Sequence, residues 1–424
     1  MNSICKQKTI CIITQLHPSM NPRLVKEADA LTEAGYKVLV IAPDFSEWAA
    51  VADEEYLGRS WEIVERPRYG PLSPRLKRIS ELARRLIAGF ATQKLGIRTP
   101  WFVNAAWHPA TPLLVAAAKR HKADLYIAHL VAALPAAAIA ARHHNALYAF
   151  DAEDFHLGEF AVLPSNDSKK QLVKLIEGRY LADCAYVTAA SPLIADAYSD
   201  TYGISIPNVV LNVFPLAQAP KCCPPQGSIS QTRSVYWFSN VIGPHRGLEC
   251  AVEAICLALS KPHLFLRGAP LADYCRRLES IAHEGGAGER LHFLPLGLPT
   301  DLARLAVEYD VGFVGEPGGT LNSQKCLSNK QFYYLLAGLP IVMSNTPAHR
   351  KFALGLEPAV LLYTANDPKS LAIAFDRLLM NPKALTEARN KASNLGQKQF
   401  NWDIEKHKLL AVVQQALNPN ERKP

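Results

Sequence analysis

What the 424-residue chain lacks already excludes several kinds of chemistry. There is no GxGxxG dinucleotide loop, no GxxxxGK[ST] phosphate loop, no HExxH and no GxSxG, which argues against a dehydrogenase, a phosphate-loop NTPase, a zinc protease and a serine hydrolase. The nine cysteines are scattered from Cys5 to Cys326 with no CxxC pair and no His/Cys cluster at zinc-ligand spacing. A reducing compartment and the absence of a structural metal are therefore expected. Cys222 and Cys223 are adjacent in a Pro-rich stretch and read as tolerated linker thiols rather than a redox pair. No apolar run is long enough to span a bilayer, because the Ala-rich stretch from Leu113 to Ala141 is broken by Lys119, Arg120, His121, Lys122 and Asp124. The opening MNSICKQKTICIITQ has no charged head, apolar middle and small-residue cleavage site, so the expectation is a chain that starts folded and cytosolic.

Acidic residues are scarce in one segment. Between Arg66 and Arg98 stand Arg68, Arg75, Lys77, Arg78, Arg84, Arg85 and Lys94 against the single acid Glu81. Within it Leu76, Ile79, Leu82, Leu86, Ile87 and Phe90 recur at helical spacing, predicting a helix with one apolar face flanked by bases. Such a helix suits either an anionic membrane surface or core packing with a solvated basic rim. With no aromatic-interleaved basic motif beside it, nucleic acid is not expected as a partner.

Hydrophobic residues make up 49% of the chain and charged residues 20%, enough for two cores. Strand and helix signals alternate, from TICIITQ and NPRLVKEADALTEAGYKVLVIAP through strands at 125–128, 147–150, 185–189 and 209–211, which predicts a doubly wound α/β domain over residues 1–213. Residues 214–233 lack periodicity and read as a linker. A second Rossmann-like domain over 234–398 is predicted from strands at 234–239, 263–267, 290–295, 310–315, 340–345 and 359–364. The final 399–424 segment carries a spare helix expected to pack back on the first domain, and the two halves are expected to face each other across a central cleft.

Two segments could bind an anion. A strand ending at Ser239 leads into a loop with Gly243, Arg246 and Gly247, followed by a helix N-terminus whose free N–H groups suit a diphosphate. The second is GEPGGTLNSQKCLSNKQFYYLLAGLPIVMSNTP, in which Glu316 opens a loop carrying Gly318 and Gly319. A helix starting near Asn329 then bears Lys330 in its first turn. A cation is unfavourable there against the helix dipole, so an anion is expected beside it. From the first domain, His129, Asp154 and His156 follow strand C-termini, where catalytic groups gather in this topology. The Asp151-Ala-Glu-Asp154 run is not expected to hold a metal.

The run SNKQFYYLLAGLPIVMS resembles the donor-site segment of family 4 retaining glycosyltransferases of the GT-B type. IGPHRGLE is similar to their phosphate loop, NPRLVKEADALTEAGYKVLVIA to their first βαβ unit, YIAHLVAALPAA to a following strand and helix, and VTAASPLIADAYSDTYG with VVLNVFP to their hinge-proximal end. The ordered resemblance spans about Cys11 to Leu417. It implies a GT-B enzyme that transfers a sugar from a nucleoside-diphosphate sugar to a cell-surface polysaccharide, lipopolysaccharide or lipid-linked acceptor, with retention, without metal or cofactor. The start of the chain and the basic amphipathic segment 66–98, rather than the resemblance, set the expected location: the cytoplasm, peripheral to the inner face of the membrane. Arg246 and Lys330 match the family's diphosphate-binding cations, with Gly243, Gly318, Gly319 and Asn329 around them. The family's second phosphate-loop cation is missing, and Arg267 is the candidate substitute. Many members carry two glutamates eight residues apart; here the positions are held near Lys325 and by Tyr333, with Glu316 as the substitute carboxylate. FDAEDFHLGE resembles a family segment in which a strand ends in an Asp followed by an aromatic residue and a Glu. That makes Asp154 and His156, with His129 at the end of its own strand, candidates for catalysis and Glu159 a candidate for acceptor binding, together with Asn21 and Arg23 in the first strand-to-helix loop. The departures leave a non-catalytic GT-B binding protein, or a GT-B epimerase, as alternatives.

Overall fold

In a computed structural model, which describes residues 7–160, 167–221 and 233–418, both halves of the chain form parallel sheets between helices. Cys5, Cys222, Cys223, most of the expected linker and the tail beyond residue 418 lie outside the described residues. The chain divides into two compact units, one running to Val210 and resumed from Lys406, the other Leu211–Glu405.

The first sheet comprises β1 (Thr9–Thr14), β2 (Lys37–Ile41), β3 (Glu62–Glu65), β4 (Leu125–His129), β5 (Leu147–Ala152), β6 (Val187–Ala189) and β7 (Asn208–Val209), in the order β3-β2-β1-β4-β5-β6-β7. The second comprises β8 (Ser234–Ile242), β9 (His263–Pro270), β10 (Leu291–Leu294), β11 (Val311–Val314), β12 (Ile341–Ser344) and β13 (Val360–Tyr363), in the order β10-β9-β8-β11-β12-β13. The central strands β1, β4, β11 and β12 are almost continuously buried, as strands covered on both faces must be. That burial is why they read as unbroken apolar runs.

Helix starts follow a repeated local rule. At Asn21-Pro22, Ser191-Pro192, Thr346-Pro347, Asp367-Pro368 and Asn381-Pro382 a side-chain oxygen accepts a backbone N–H of the first turn, while proline fills the position whose N–H has no partner.

Three expectations are corrected. Strand β3 is additional: its EIVE sequence is short, partly exposed and carries Glu at both ends, so it gives little alternation. β8 runs past Ser239 to Ile242, with an irregularity in its pairing between Phe238 and Val241. Helices Glu47–Ala52 and Pro100–Trp107 are additional as well. The last helix, Trp402–Leu417, joins the first unit from Lys406 onward, where Lys406 Nζ lies 2.9 Å from Glu33 Oε2.

In each sheet the strand order reverses at one place, between β1 and β4 and between β8 and β11. Loops leaving the C-terminal ends of two such strands diverge and open a crevice, the usual ligand position in open α/β sheets.

Candidate functional site

In the second unit the reversal brings the two anion-binding segments together. Arg246 and Gly247 follow β8, and Gly315 and Glu316 follow β11. Gly247 has a φ of 71°, and a Cβ there would fall 2.1 Å from the Gly315 carbonyl oxygen, so the loop can lie against β11 only with glycine. Helix Leu248–Leu257 starts directly after it, and no side chain caps its N-terminus. Arg246 is half-buried and has no hydrogen bond or ion pair among the described residues.

Lys330 lies in the first turn of helix Asn329–Leu336, and its expected anion is a side chain of the same unit. Its Nζ donates to Glu316 Oε1 at 2.7 Å and to Ser328 Oγ at 3.3 Å, and stands 5.6 Å from the centre of the Trp237 ring. Ser328 occupies the N-cap position but makes no side-chain cap. Burial opposes a charge on Glu316, yet the Lys330 ammonium and His349 outweigh it and hold the carboxyl down at about 2. Glu316 Oε2 is buried without a partner among the described residues. The Glu316 carbonyl accepts from Ser344 Oγ at 2.6 Å, which ties the loop to β12. Gly318, with a φ of 73°, accepts from Gln324 Nε2 at 3.0 Å. Gly319 is open to a Cβ, and Asn329 is exposed.

Two other donor-side candidates are held differently. Arg267 is buried, donating through Nε to Tyr236 Oη at 2.8 Å and through Nη1 to the Pro295 carbonyl at 2.8 Å. Tyr333 is buried in an aromatic stack, 3.6 Å from Phe214 between ring centres and edge-on to Phe238 at 5.5 Å. Burial pushes its phenol up. Gly243 packs beneath Leu271, whose Cδ1 would lie 3.1 Å from an added Cβ.

In the first unit the reversal gathers a buried charged cluster. Arg23, from helix Pro22–Glu33, forks onto Asp151 through Nε (2.5 Å) and Nη2 (2.8 Å), and its Nη1 donates to the Val210 carbonyl at 2.7 Å. Thr188 Oγ1 donates to Asp151 Oδ1 at 2.5 Å. His129, the last residue of β4, places Nε2 2.7 Å from Glu27 Oε2 and Nδ1 2.9 Å from Glu153 Oε1. Both neighbours only accept, so both ring nitrogens carry protons and the ring is an imidazolium. Burial opposes that charge, but the Glu153 and Glu27 carboxylates outweigh it and push the ring up to about 10. Asn21 donates from Nδ2 to Glu153 Oε1 at 2.6 Å while its Oδ1 caps Leu24. Lys26 is buried nearby, pushed down by burial and then by Arg23.

Glu27, His129 and Asp151 place ligand atoms within 4.8 Å of one another and could hold a metal ion. As folded, however, Arg23 occupies both Asp151 oxygens and the two carboxylates occupy both His129 nitrogens. Sequence reasoning named Arg23, Asn21 and His129 as site residues. It weighed Asp151 and Glu153 only as a metal-binding run and missed them, with Glu27, as the counter-charges, because buried acids within a helix or at the end of a strand give no periodic signal.

His156 and Asp154 belong to a second cluster. His156 Nδ1 lies 2.7 Å from Tyr198 Oη and 3.0 Å from Glu177 Oε1, while its Nε2 is buried without a partner among the described residues. Burial opposes protonation, but Glu177 outweighs it and pushes the ring up to about 9. Tyr198 Oη also donates to the Asp154 carbonyl at 3.2 Å. Glu159 is exposed.

No family model and no curated relative matches the sequence. Solved structures do match, at low identity. Sucrose-phosphate synthase from Thermosynechococcus elongatus is 16% identical, with a TM-score of 0.71 over 97% of this chain and 100% of that one. HepE of Anabaena, in complex with UDP, is 15% identical, with a TM-score of 0.68 over 96% and 100%. The lipopolysaccharide outer core galactosyltransferase WaaB is 9% identical, with a TM-score of 0.61 over 96% and 99%. These likenesses show the fold: the chain has two Rossmann-like domains of the GT-B type.

Proposed function

We propose that the chain is a glycosyltransferase of the family 4 kind, moving a sugar from a nucleoside-diphosphate sugar to a polysaccharide, lipopolysaccharide or lipid-linked acceptor. The reading includes retention of configuration and a place in the cytoplasm, peripheral to the inner face of the membrane. The observation that carries it is the meeting of the Arg246–Gly247 loop with Gly315 and Glu316 at the β8/β11 reversal. Arg246 and the helix N-terminus after it, on one side of that meeting, and Lys330, paired with Glu316 on the other, are the positive groups offered to a diphosphate. Gly318 and Gly319 contribute no side chain of their own to the loop after Glu316, and nothing lies within 4 Å of where a Gly319 Cβ would stand.

In this reading Lys330 is held by Glu316 until a diphosphate arrives, and the two anions then share it. Charge building on the leaving diphosphate is met by Arg246 and Lys330, with no resident metal or cofactor. His129, Asp154 and His156, with Asn21, Arg23 and Glu159, serve the acceptor side. HepE has been solved with UDP and with UDP-glucose, which makes UDP-sugars the first donors to try.

The test is nucleoside diphosphate release from a panel of nucleotide sugars, with Arg246→Ala expected to lower kcat/KM by about a hundredfold, the usual cost of losing one group that stabilises developing charge. The reading is wrong if no donor binds or turns over and Arg246→Ala changes nothing. A second reading, a GT-B protein that binds a sugar or partner without turnover, is favoured by Tyr333 filling an aromatic stack where the resembled family carries a glutamate. Donor binding without release would favour it.

A further inference from the structure

Helix Arg75–Gln93 is packed inside out. At 3.6 residues per turn, Leu76, Ile79, Leu82, Leu86, Ile87 and Phe90 share an arc of about 140°, the face a core-packing helix would bury. Yet Leu76 is 82% exposed, Leu86 64% and Phe90 59%. The buried residues, Glu81, Ala88, Ala91 and Thr92, lie on the opposite side. The helix therefore rests on its unit through small side chains and presents its large apolar ones outward, which excludes the core-packing reading.

We infer that this face docks on an anionic lipid bilayer, the helix lying in the interface plane. Charge complementarity selects that partner. Arg78 and Arg85 border one edge of the apolar arc and are exposed, as are Arg75 and Lys94 near the ends. Lys77 and Arg84, beyond the other edge, are half-buried, with Lys77 Nζ donating to the Arg68 carbonyl at 2.9 Å and one Arg84 nitrogen buried. The only acid of the helix, Glu81, is buried beneath it. A one-signed rim around an apolar stripe matches headgroup phosphates above acyl chains. Trp101, 57% exposed in the neighbouring helix Pro100–Trp107, has the side chain most suited to the headgroup boundary. The inference rests on the peripheral placement proposed above and names the surface responsible; it uses no residue of either switch-point cluster, so a failure to bind vesicles is distinguishable from a failure of sugar transfer.

Flotation of the full chain with vesicles tests it. The protein is expected to float at low salt with phosphatidylcholine vesicles containing about one third phosphatidylglycerol, and to stay behind with pure phosphatidylcholine or at about 1 M salt. Leu86→Ser with Phe90→Ser should weaken partition more than about tenfold, and so should Arg78→Glu with Arg85→Glu. Leu354→Ser, an exposed leucine of the other unit, should change nothing. All of these positions are exposed, and an unchanged thermal midpoint confirms that each variant is folded. Wild type that never floats overturns the inference, as does equal binding to neutral vesicles. So does a dimer, dispersed by Leu86→Ser, that ignores vesicles.

Discussion

At the β1/β4 reversal three carboxylates, Glu27, Asp151 and Glu153, meet Arg23, Lys26 and His129; the bonds of Arg23 to Asp151 and of His129 to Glu27 are short and buried, and those of His129 and Asn21 to Glu153 are short and part-buried. At the β8/β11 reversal the described residues form one ion pair, Glu316 with Lys330, beside an Arg246 that none of them engages. The same strand order thus carries two electrostatic designs. A buried network whose members satisfy one another fixes geometry, and removing one member is costly because the others cannot return to water. A half-buried cation without a partner adds little to the fold and is available to a ligand.

The largest effect expected from breaking this comparison is on stability. Asp151→Asn leaves the Arg23 guanidinium buried without its counter-charge and should destabilise the first unit by about 3–5 kcal/mol, read from denaturant unfolding. Arg246→Ala should stay within about 0.5 kcal/mol, as substitutions outside paired networks do. If both variants unfold alike, the contrast between the clusters is wrong.

A smaller effect should appear with pH, and its sign differs between the units. In the first unit His129 and His156 are pushed up to about 10 and about 9. The stability they contribute is complete below the ordinary histidine value near 6.5 and is lost as pH rises through the folded values. In the second unit burial pushes His349 down, with Glu316 pulling the other way, and it also pushes down His263 and His292. Their contribution is present above about 6.5 and lost as pH falls. Thermal unfolding between about pH 6.5 and 9.5 should therefore weaken the first unit, and His129→Gln should flatten that slope.

The contrast also explains what the sequence could reveal. Strand runs such as TICIIT and helix starts such as Asn21-Pro22 are local signals and were legible. Lys330 was legible too, because a cation in a first helical turn is electrostatically wrong on its own. Its answer, Glu316, is fourteen residues away and meets it only through the fold. Asp151, Glu27 and Glu153 were not legible as a set, since burial is a tertiary property and polar periodicity cannot distinguish a buried acid from a solvated one. Nor could periodicity show that the apolar face of Arg75–Gln93 points outward. The available hint was its small-residue side, with Ala88 and Ala91 at helical spacing.

The smallest expected effect concerns Tyr333, at the position of the second glutamate that many members of the resembled family carry. The ring is buried against Phe214 and Phe238, and its hydroxyl makes no hydrogen bond among the described residues. Tyr333→Phe keeps the stack and removes only the hydroxyl. Its donor KM should stay within about twofold of the parent if the ring serves packing alone, because losing an unbonded hydroxyl forfeits no hydrogen bond. A KM raised about tenfold or more, with kcat unchanged, would mean that the phenol reaches the nucleotide when the donor is bound, taking up part of the carboxylate's task with a single donor and acceptor.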